Sequence, residues 1–427
     1  MCSGFSDLIV KLQGFVAPNK EFLRYDAALF VKGWLWICDF RFLPKVRNLL
    51  FGWALTSGSL LDPCAEASGR RMLSPVVGRG NNSAGSFWGI GEAMMRNRTV
   101  RVAGAGAAVL LPLALFLHTF SAAPLPMPSP YVGPLPSATP PKEMAVIALV
   151  TGVNHRVAAY GYRGGSFFDR REFSMAGTLV KHPRGDLLID TGFGGRIDEQ
   201  FRTMPWTFRT WTFYKLWQPA VDQLKAAGYD PKALHAILLT HSHWDHVSGL
   251  PDFPGVPVWV TPQEREFIRK SGSLDFCRLF TDIRYEEYGF EGGPYLGFPA
   301  SHDIYGDGSI VVVPAPGHTP GRVIIFVTVH NGTRYAFVGD LGWQLEGIAL
   351  REERPWIVRR RADSDPDGNR ENLLRMIAMK ERLPELIIVP AHDMRAFAVM
   401  PTLPPAGHGK ATNAGTRGQE QRKDGGF

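Results

Sequence analysis

The order of predicted strands and helices indicates an α/β fold, a four-layer αββα sandwich in which helices cover the outer faces of two sheets. Strands are expected at 144–150, 178–181, 186–189, 236–239 and 256–260, with later strands near 310–313, 335–339 and 386–389. Helices alternate with these strands. We expect them from Pro219 to Ala227, from Pro262 through Lys270 and from Glu371 to Arg382.

Strand and helix signals occupy only about 260 of the 427 residues, enough to bury a sizeable core. The sequence predicts five segments. Residues 1–93 are disordered or an extension of the gene model, 94–123 a signal peptide or signal anchor, 124–141 a proline-rich linker, 142–400 the folded domain, and 401–427 a disordered tail.

The segment 94–123 has the layout of an export signal. Arginines at 96–101 precede an apolar run at 102–120 and the small residues Ser121-Ala122-Ala123. We therefore hypothesise that translation starts at Met94 or Met95. The alternative is a single membrane anchor, because 19 apolar residues approach the minimum span. Both interpretations predict an exported domain, periplasmic or otherwise extracytoplasmic, which the anchor would hold at the inner membrane.

The charge of the folded domain argues against nucleic acid as a partner. The whole chain carries a formal charge of +7, but residues 142–400 hold 30 basic and 31 acidic residues. The domain thus lacks the basic excess that a phosphate backbone favours. We expect Arg359-Arg360-Arg361 to be a solvated patch faced by Asp363, Asp365 and Asp367, rather than an anion clamp. The four cysteines have no zinc-finger spacing.

A cluster of potential metal ligands follows the apolar run 236–239. Within Thr240-His241-Ser242-His243-Trp244-Asp245-His246, three histidines and one aspartate occupy six positions. Residues two apart in an extended segment point to the same side, so His241 and His243 can bind one cation. Imidazole and carboxylate ligands suit zinc, and also iron or manganese. The cluster predicts a metal site.

Three further residues of ligand type follow apolar runs. His318, Asp340 and His392 each come directly after a predicted strand, where side chains project from a sheet edge into a shared cleft. With the first cluster they provide five histidines and two aspartates, enough for two metals.

This ordered set resembles the metallo-β-lactamase fold superfamily, and within it the dinuclear zinc hydrolases similar to N-acyl-homoserine lactonases and hydroxyacylglutathione hydrolases. The Gly-His-Thr-Pro-Gly turn around His318 and the strand end Asp190-Thr191-Gly192 also match. The resemblance covers roughly residues 142–400. It implies that two zinc ions are bound per chain, the first by His241, His243 and His318, the second by Asp245, His246 and His392, with Asp340 bridging them. Asp190 would orient the ligand loop without touching metal.

The resemblance implies a reaction in which a bridging hydroxide attacks an acyl carbonyl. Asp245 or Asp340 could relay a proton to the leaving group, but as metal-bound carboxylates they would act mainly in coordination. The expected substrate is a small lactone or ester with an apolar arm. Aromatic residues between 201 and 217 would line its pocket or form a homodimer contact, or else belong to the core.

Other reactions stay open at this point. Hydrolysis of a thioester or a β-lactam and a mononuclear-iron persulfide dioxygenase are alternatives, and a binding module without catalysis is a further one. Lactonases carry a tyrosine three residues after the bridging aspartate, where this chain has Trp343. That departure counts against homoserine-lactone specificity.

Overall fold

The computed structural model describes residues 110–270 and 280–403. The predicted segment 1–93, the first part of the predicted signal up to residue 109, Cys277 and nearly all of the predicted tail lie outside these ranges. None of the helices in the described ranges is long and apolar enough to span a bilayer.

The first sheet has seven strands in the order β4-β1-β2-β3-β5-β6-β7. Strands β1 to β3 and β4 pair antiparallel, whereas β3, β5, β6 and β7 pair parallel. The strands are β1 (Ala145–Val157), β2 (Arg170–Lys181), β3 (Asp186–Ile189), β4 (Tyr214–Leu216), β5 (Leu234–Leu238), β6 (Val258–Val260) and β7 (Tyr285–Glu287).

The second sheet has five strands in the order β12-β11-β10-β9-β8. Its only parallel pair among these described strands is β11 with β12. The strands are β8 (His302–Asp303), β9 (Ile310–Pro314), β10 (Val323–Thr328), β11 (Arg334–Gly339) and β12 (Ile387–Pro390).

Ten α-helices are described besides a helical stretch at 110–118. They are α1 (Ala158–Gly161), α2 (Ile197–Arg202), α3 (Trp206–Arg209), α4 (Ala220–Ala226), α5 (Trp244–Val247), α6 (Pro262–Lys270), α7 (Leu345–Ala349), α8 (Trp356–Ala362), α9 (Pro366–Arg382) and α10 (Met394–Ala398). Helix α9 begins five residues before the predicted start, because the Asp365 side chain accepts hydrogen bonds from Asp367 N and Gly368 N and caps it.

Alternation along the strands divides the apolar side chains into three cores, which define four layers. In β3, Leu187 and Ile189 pack between the two sheets, whereas Leu188 packs on the outer face against helices. In β9, Val312 faces the first sheet and Val313 packs with helix α9. The predicted αββα sandwich is confirmed.

The predicted linker 124–141 lies along the folded domain. Thr139 N donates to Asp307 O at 2.8 Å, and Leu125 N donates to Arg351 O at 2.7 Å. The guanidinium of Arg334 donates to Pro136 O at 3.1 Å. Hydrogen bonds therefore fix this segment to the domain at several points.

Candidate metal centre

The seven predicted ligands meet at one edge of the two sheets. Parallel pairing of β11 with β12 places Gly339 beside Pro390, so that Asp340 and His392 leave the second sheet together. In the first sheet the cluster His241–His246 follows β5 and continues into α5. A backbone hydrogen bond of 3.0 Å from Val323 N to Thr240 O joins the two sheets next to the cluster.

The ligand atoms form two groups. His241, His243, His318 and Asp340 make one, and Asp245, His246 and His392 make the other. Within each group the ligating atoms all lie within 4.8 Å of one another.

The carboxylate of Asp340 lies between the groups and faces both. Its Oδ2 is 3.1 Å from His318 Nε2 and 3.9 Å from His241 Nε2. Its Oδ1 is 3.0 Å from His392 Nε2 and 3.3 Å from His246 Nε2. One oxygen of the carboxylate is thus directed at each group.

Several ligand atoms are buried without a hydrogen-bond partner. They are His241 Nε2, His246 Nε2 and Asp340 Oδ1, all pointing into the centre; the last two lie 3.3 Å apart but do not have hydrogen-bond geometry. Buried polar atoms are rarely left unpaired in folded proteins, and a metal ion would satisfy all three. Nitrogen and carboxylate donors in this arrangement fit zinc and other divalent transition metals.

The charge distribution differs between the two groups. Burial lowers the pKa of His241 and His243 well below its usual value, which keeps both imidazoles in the neutral form that binds metal. Burial alone would also lower the pKa of His246, but the carboxylates of Asp190 and Asp340 raise it well above the usual value. The second group therefore attracts positive charge strongly.

Asp190 orients the second group from behind. Its Oδ2 is 2.8 Å from His246 Nδ1 and accepts a hydrogen bond of 2.6 Å from Thr240 Oγ1, while Oδ1 accepts from Thr240 N. Its backbone has φ +51°, an uncommon conformation for a residue other than glycine, which turns the chain sharply at the end of β3. The geometry fits the predicted role of Asp190 as an orienting residue outside the ligand set.

Asp363 plays the corresponding part for His318. Its Oδ1 lies 2.8 Å from His318 Nδ1 and accepts from the Arg354 guanidinium, which also donates to Asp340 O at 2.7 Å. The expectation of a solvated patch was wrong for this residue and for Arg359. Both are buried, and Arg359 pairs with Glu353.

Glu264 links the two loops that carry the histidines of the first group, a contact that the sequence did not predict. Its carboxylate accepts from Ser242 N at 2.7 Å and Ser242 Oγ at 2.6 Å, and also from Thr319 Oγ1 at 2.6 Å and Gly321 N at 3.1 Å. The Thr261-to-Glu264 spacing signals a helix start. It carries no information about which distant loops the carboxylate joins.

The aromatic segment between 201 and 217 belongs mainly to the core. Phe201, Phe208 and Tyr214 pack around Trp244 with the first apolar cluster, and Trp206 is exposed. An aromatic side chain beside the centre is instead Trp343, whose Nε1 donates to Asp340 Oδ2 at 2.7 Å.

The comparisons with known proteins agree with this geometry. The model of the family described as "Metallo-beta-lactamase superfamily" matches residues 176–392. A probable metallo-hydrolase of Mycobacterium bovis is 28% identical over 239 residues, covering 50% of this chain and 73% of that protein.

Two further similarities involve lactonases. The N-acyl homoserine lactonase AttM of Rhizobium radiobacter is 26% identical over 183 residues, covering 39% of this chain and 65% of the lactonase. A solved N-acyl homoserine lactone hydrolase has a TM-score of 0.49 and 17% identity, and the match covers 60% of this chain and 96% of that one.

Proposed function

Since the chain belongs to the metallo-beta-lactamase superfamily and is a hydrolase of that fold, we propose that it is a dinuclear zinc enzyme that opens a small lactone or ester with an apolar arm. The observation that carries the proposal is the position of Asp340, with one carboxylate oxygen toward each ligand group. The second group of ligand residues, Asp245, His246 and His392, supports two metals rather than one.

The proposed ligands divide as the sequence resemblance implied. His241, His243 and His318 would hold the first zinc ion, Asp245, His246 and His392 the second, and Asp340 would bridge them. When bound, the pair would make water nucleophilic near neutral pH and polarise the carbonyl under attack.

The chain's own residues would orient this chemistry and move the proton. Both carboxylate oxygens of Asp340 are directed at histidines, and Oδ2 also accepts a hydrogen bond from Trp343. We therefore assign Asp340 to bridging the two metals and not to proton transfer. Asp245, beside His392 at 3.3 Å, is the carboxylate we assign to carry a proton to the leaving oxygen.

The lactone or ester assignment draws on the relatives named as lactonases and on the aromatic surroundings of the centre. Trp343, Tyr160 and Phe173 stand together, with ring centroids 5.3 Å apart for Tyr160 and Trp343 and 6.2 Å apart for Phe173 and Trp343. Aromatic side chains of this kind suit an apolar substrate arm.

A substrate panel tests the proposal. The zinc-loaded protein is assayed with acyl lactones of several chain lengths, aryl esters, thioesters and β-lactams. We expect turnover of lactones or esters, and loss of both metal and turnover in His243→Ala and Asp245→Ala. His302→Ala is the matched control, because His302 lies in β8 and pairs with Glu291. Full activity of metal-depleted Asp245→Ala would contradict the proposal.

We also propose that the protein is exported, with residues 94–123 as the signal or anchor. Amino-terminal sequencing and peptide mapping of the expressed protein check the location of the start. Peptides from before Met94 would contradict a start at Met94 or Met95.

A further inference from the structure

The carboxylate of Asp340 must keep one orientation in order to face both ligand groups. The terminal torsion of an aspartate side chain has broad, roughly two-fold minima, so the carboxylate rotates easily unless a neighbouring group fixes it. Within the described residues, Oδ1 has no hydrogen-bond partner, whereas Oδ2 accepts a hydrogen bond of 2.7 Å from Trp343 Nε1. In this part of the chain a single indole N–H therefore holds the carboxylate from outside the ligand set.

Two contacts hold the indole ring of Trp343 in turn. The Arg354 guanidinium lies 4.7 Å from the ring centroid, and the Tyr160 ring stacks on Trp343 with centroids 5.3 Å apart and 22° between the planes. Cations and stacked rings both interact favourably with the face of an indole. Arg354 also donates to Asp340 O at 2.7 Å. The same arginine therefore fixes the backbone of Asp340 and the ring that holds its carboxylate.

The loop that carries Trp343 is joined to neighbouring elements as well. The Gln344 side-chain amide donates to His392 O in the second group. Helix α1 packs closely against the same loop, because a methyl group at Gly161 would lie 2.9 Å from Gln344 Cγ. The position of the indole N–H is thus set by several neighbours at once.

The oxygen that accepts this hydrogen bond is the one beside the first group. Oδ2 of Asp340 lies 3.1 Å from His318 Nε2, while Oδ1 lies 3.0 Å from His392 Nε2 in the second group. A carboxylate that rotates freely can turn both oxygens to one metal, and the other metal then loses a ligand. The indole N–H opposes such a rotation, because its hydrogen bond is kept only while Oδ2 stays in place.

We propose that Trp343 is a positioning residue for the bridging carboxylate, and that its indole N–H keeps Asp340 Oδ2 directed at the first group. Tyr160 and Arg354 hold the indole in the required orientation. The three histidines of the first group then have a carboxylate as fourth donor, the number of ligands that zinc takes in most protein sites. This role of Trp343 rests on the proposed two-metal function.

Zinc titration of the metal-free Trp343→Phe protein tests the role without any substrate. Phenylalanine keeps an aromatic ring for Tyr160 and Arg354 but has no N–H. We expect the first group to bind zinc about 10- to 100-fold more weakly, with the second group little changed. Calorimetry measures the two affinities, and anomalous diffraction at limiting zinc assigns each to a group. With cobalt in place of zinc, the visible spectrum should also change, because it depends on the number and geometry of the ligands.

Trp259→Phe is the matched control. It removes an indole hydrogen bond of 3.0 Å to the carboxylate of Glu286, which belongs to neither group. This variant should bind both metals like the unchanged protein. Tyr160→Leu removes the stacked ring and leaves the N–H of Trp343, so it should give a smaller loss at the first group. Circular dichroism verifies that each variant is folded.

Unchanged zinc affinities in Trp343→Phe would overturn the role of Trp343. A larger loss at the second group, or an equal loss in Trp259→Phe, would overturn it as well. If Trp343→Phe does not fold, Tyr160→Leu decides, and unchanged affinities in that variant would be the contradicting result. Binding of only one zinc ion by the unchanged protein would instead overturn the proposed dinuclear function, and the role of Trp343 with it.

Discussion

The two ligand groups have similar donors but differ in how charge supports them. In the first group, the outer partner of His318 is Asp363, whose negative charge is paired with Arg354. In the second, His246 Nδ1 is hydrogen-bonded to Asp190, whose other hydrogen bonds come from neutral groups of Thr240. The second group also contains the carboxylate of Asp245. Electrostatics therefore favour tighter metal binding by the second group.

This difference implies that the two metals leave the protein separately. During titration with a chelator we expect two phases, with the metal of His241, His243 and His318 released first. Metal analysis after partial chelation measures the order of release. Release of both metals in a single step would contradict the expected difference in affinity between the two groups.

Replacing Asp340 should have the largest effect because both groups share it. In Asp340→Ala we expect zinc binding by both groups to weaken and kcat/KM to fall by roughly 10³-fold or more, equivalent to about 4 kcal/mol of transition-state stabilisation. Steady-state kinetics with metal analysis measure both quantities. An Asp340→Ala protein that retains two tightly bound metals and most of its activity would show that the carboxylate does not bridge.

Asp190→Asn should weaken the second group selectively. Asparagine tolerates the positive φ of this position, so the backbone can stay in place while the negative charge disappears. We expect the affinity of the second metal to fall by about 10- to 100-fold, with the first metal little changed. Calorimetric titration of the metal-free protein checks this, and an equal loss at both groups would remove the distinction between them.

Asp363→Asn is the reciprocal change and should act on the first group. The amide can still hydrogen-bond to His318, but Arg354 loses its buried counter-ion. We expect about tenfold weaker binding of the first metal together with a lower melting temperature. The same titration, combined with thermal unfolding, measures both. A selective loss of the second metal would contradict the assignment of Asp363 to His318.

A smaller effect is expected on the stability of the fold at acid pH, through a carboxylate next to the second group. Burial alone would raise the pKa of Glu346 above 4.5, but Arg395 and Arg171 lower it to about 2. A lowered carboxyl pKa stabilises the fold above about pH 4.5, and the contribution is lost as pH falls toward 2. Glu346→Gln should therefore lower the melting temperature at pH 6 and have little effect near pH 2. Calorimetry at the two pH values measures the difference, and an equal change at both would exclude the ion pairs as its cause.

The four layers of the fold and the meeting of the ligand candidates at one sheet edge could be predicted because both depend on local signals in the sequence. Four of the ligands each follow an apolar run: His241, His318, Asp340 and His392. The rule that side chains at strand ends share a cleft was sufficient to predict that they meet. The parallel pairing of β3 with β5 and of β11 with β12 then brings these ends together.

The supporting residues could not be found in this way. Asp363 lies 45 residues after His318, in a segment whose three arginines indicated a solvated surface. Glu264 joins loops on either side of it through four hydrogen bonds that no spacing encodes. Such contacts arise only from the packing of α6 and α8 against the sheet edge.

Anomalous diffraction from crystals of the zinc-loaded protein, recorded on both sides of the zinc absorption edge, tests the central claim most directly. The account predicts two peaks about 3.5–4 Å apart, one beside each oxygen of Asp340. One peak would contradict it, as would two peaks of which neither lies within bonding distance of that carboxylate.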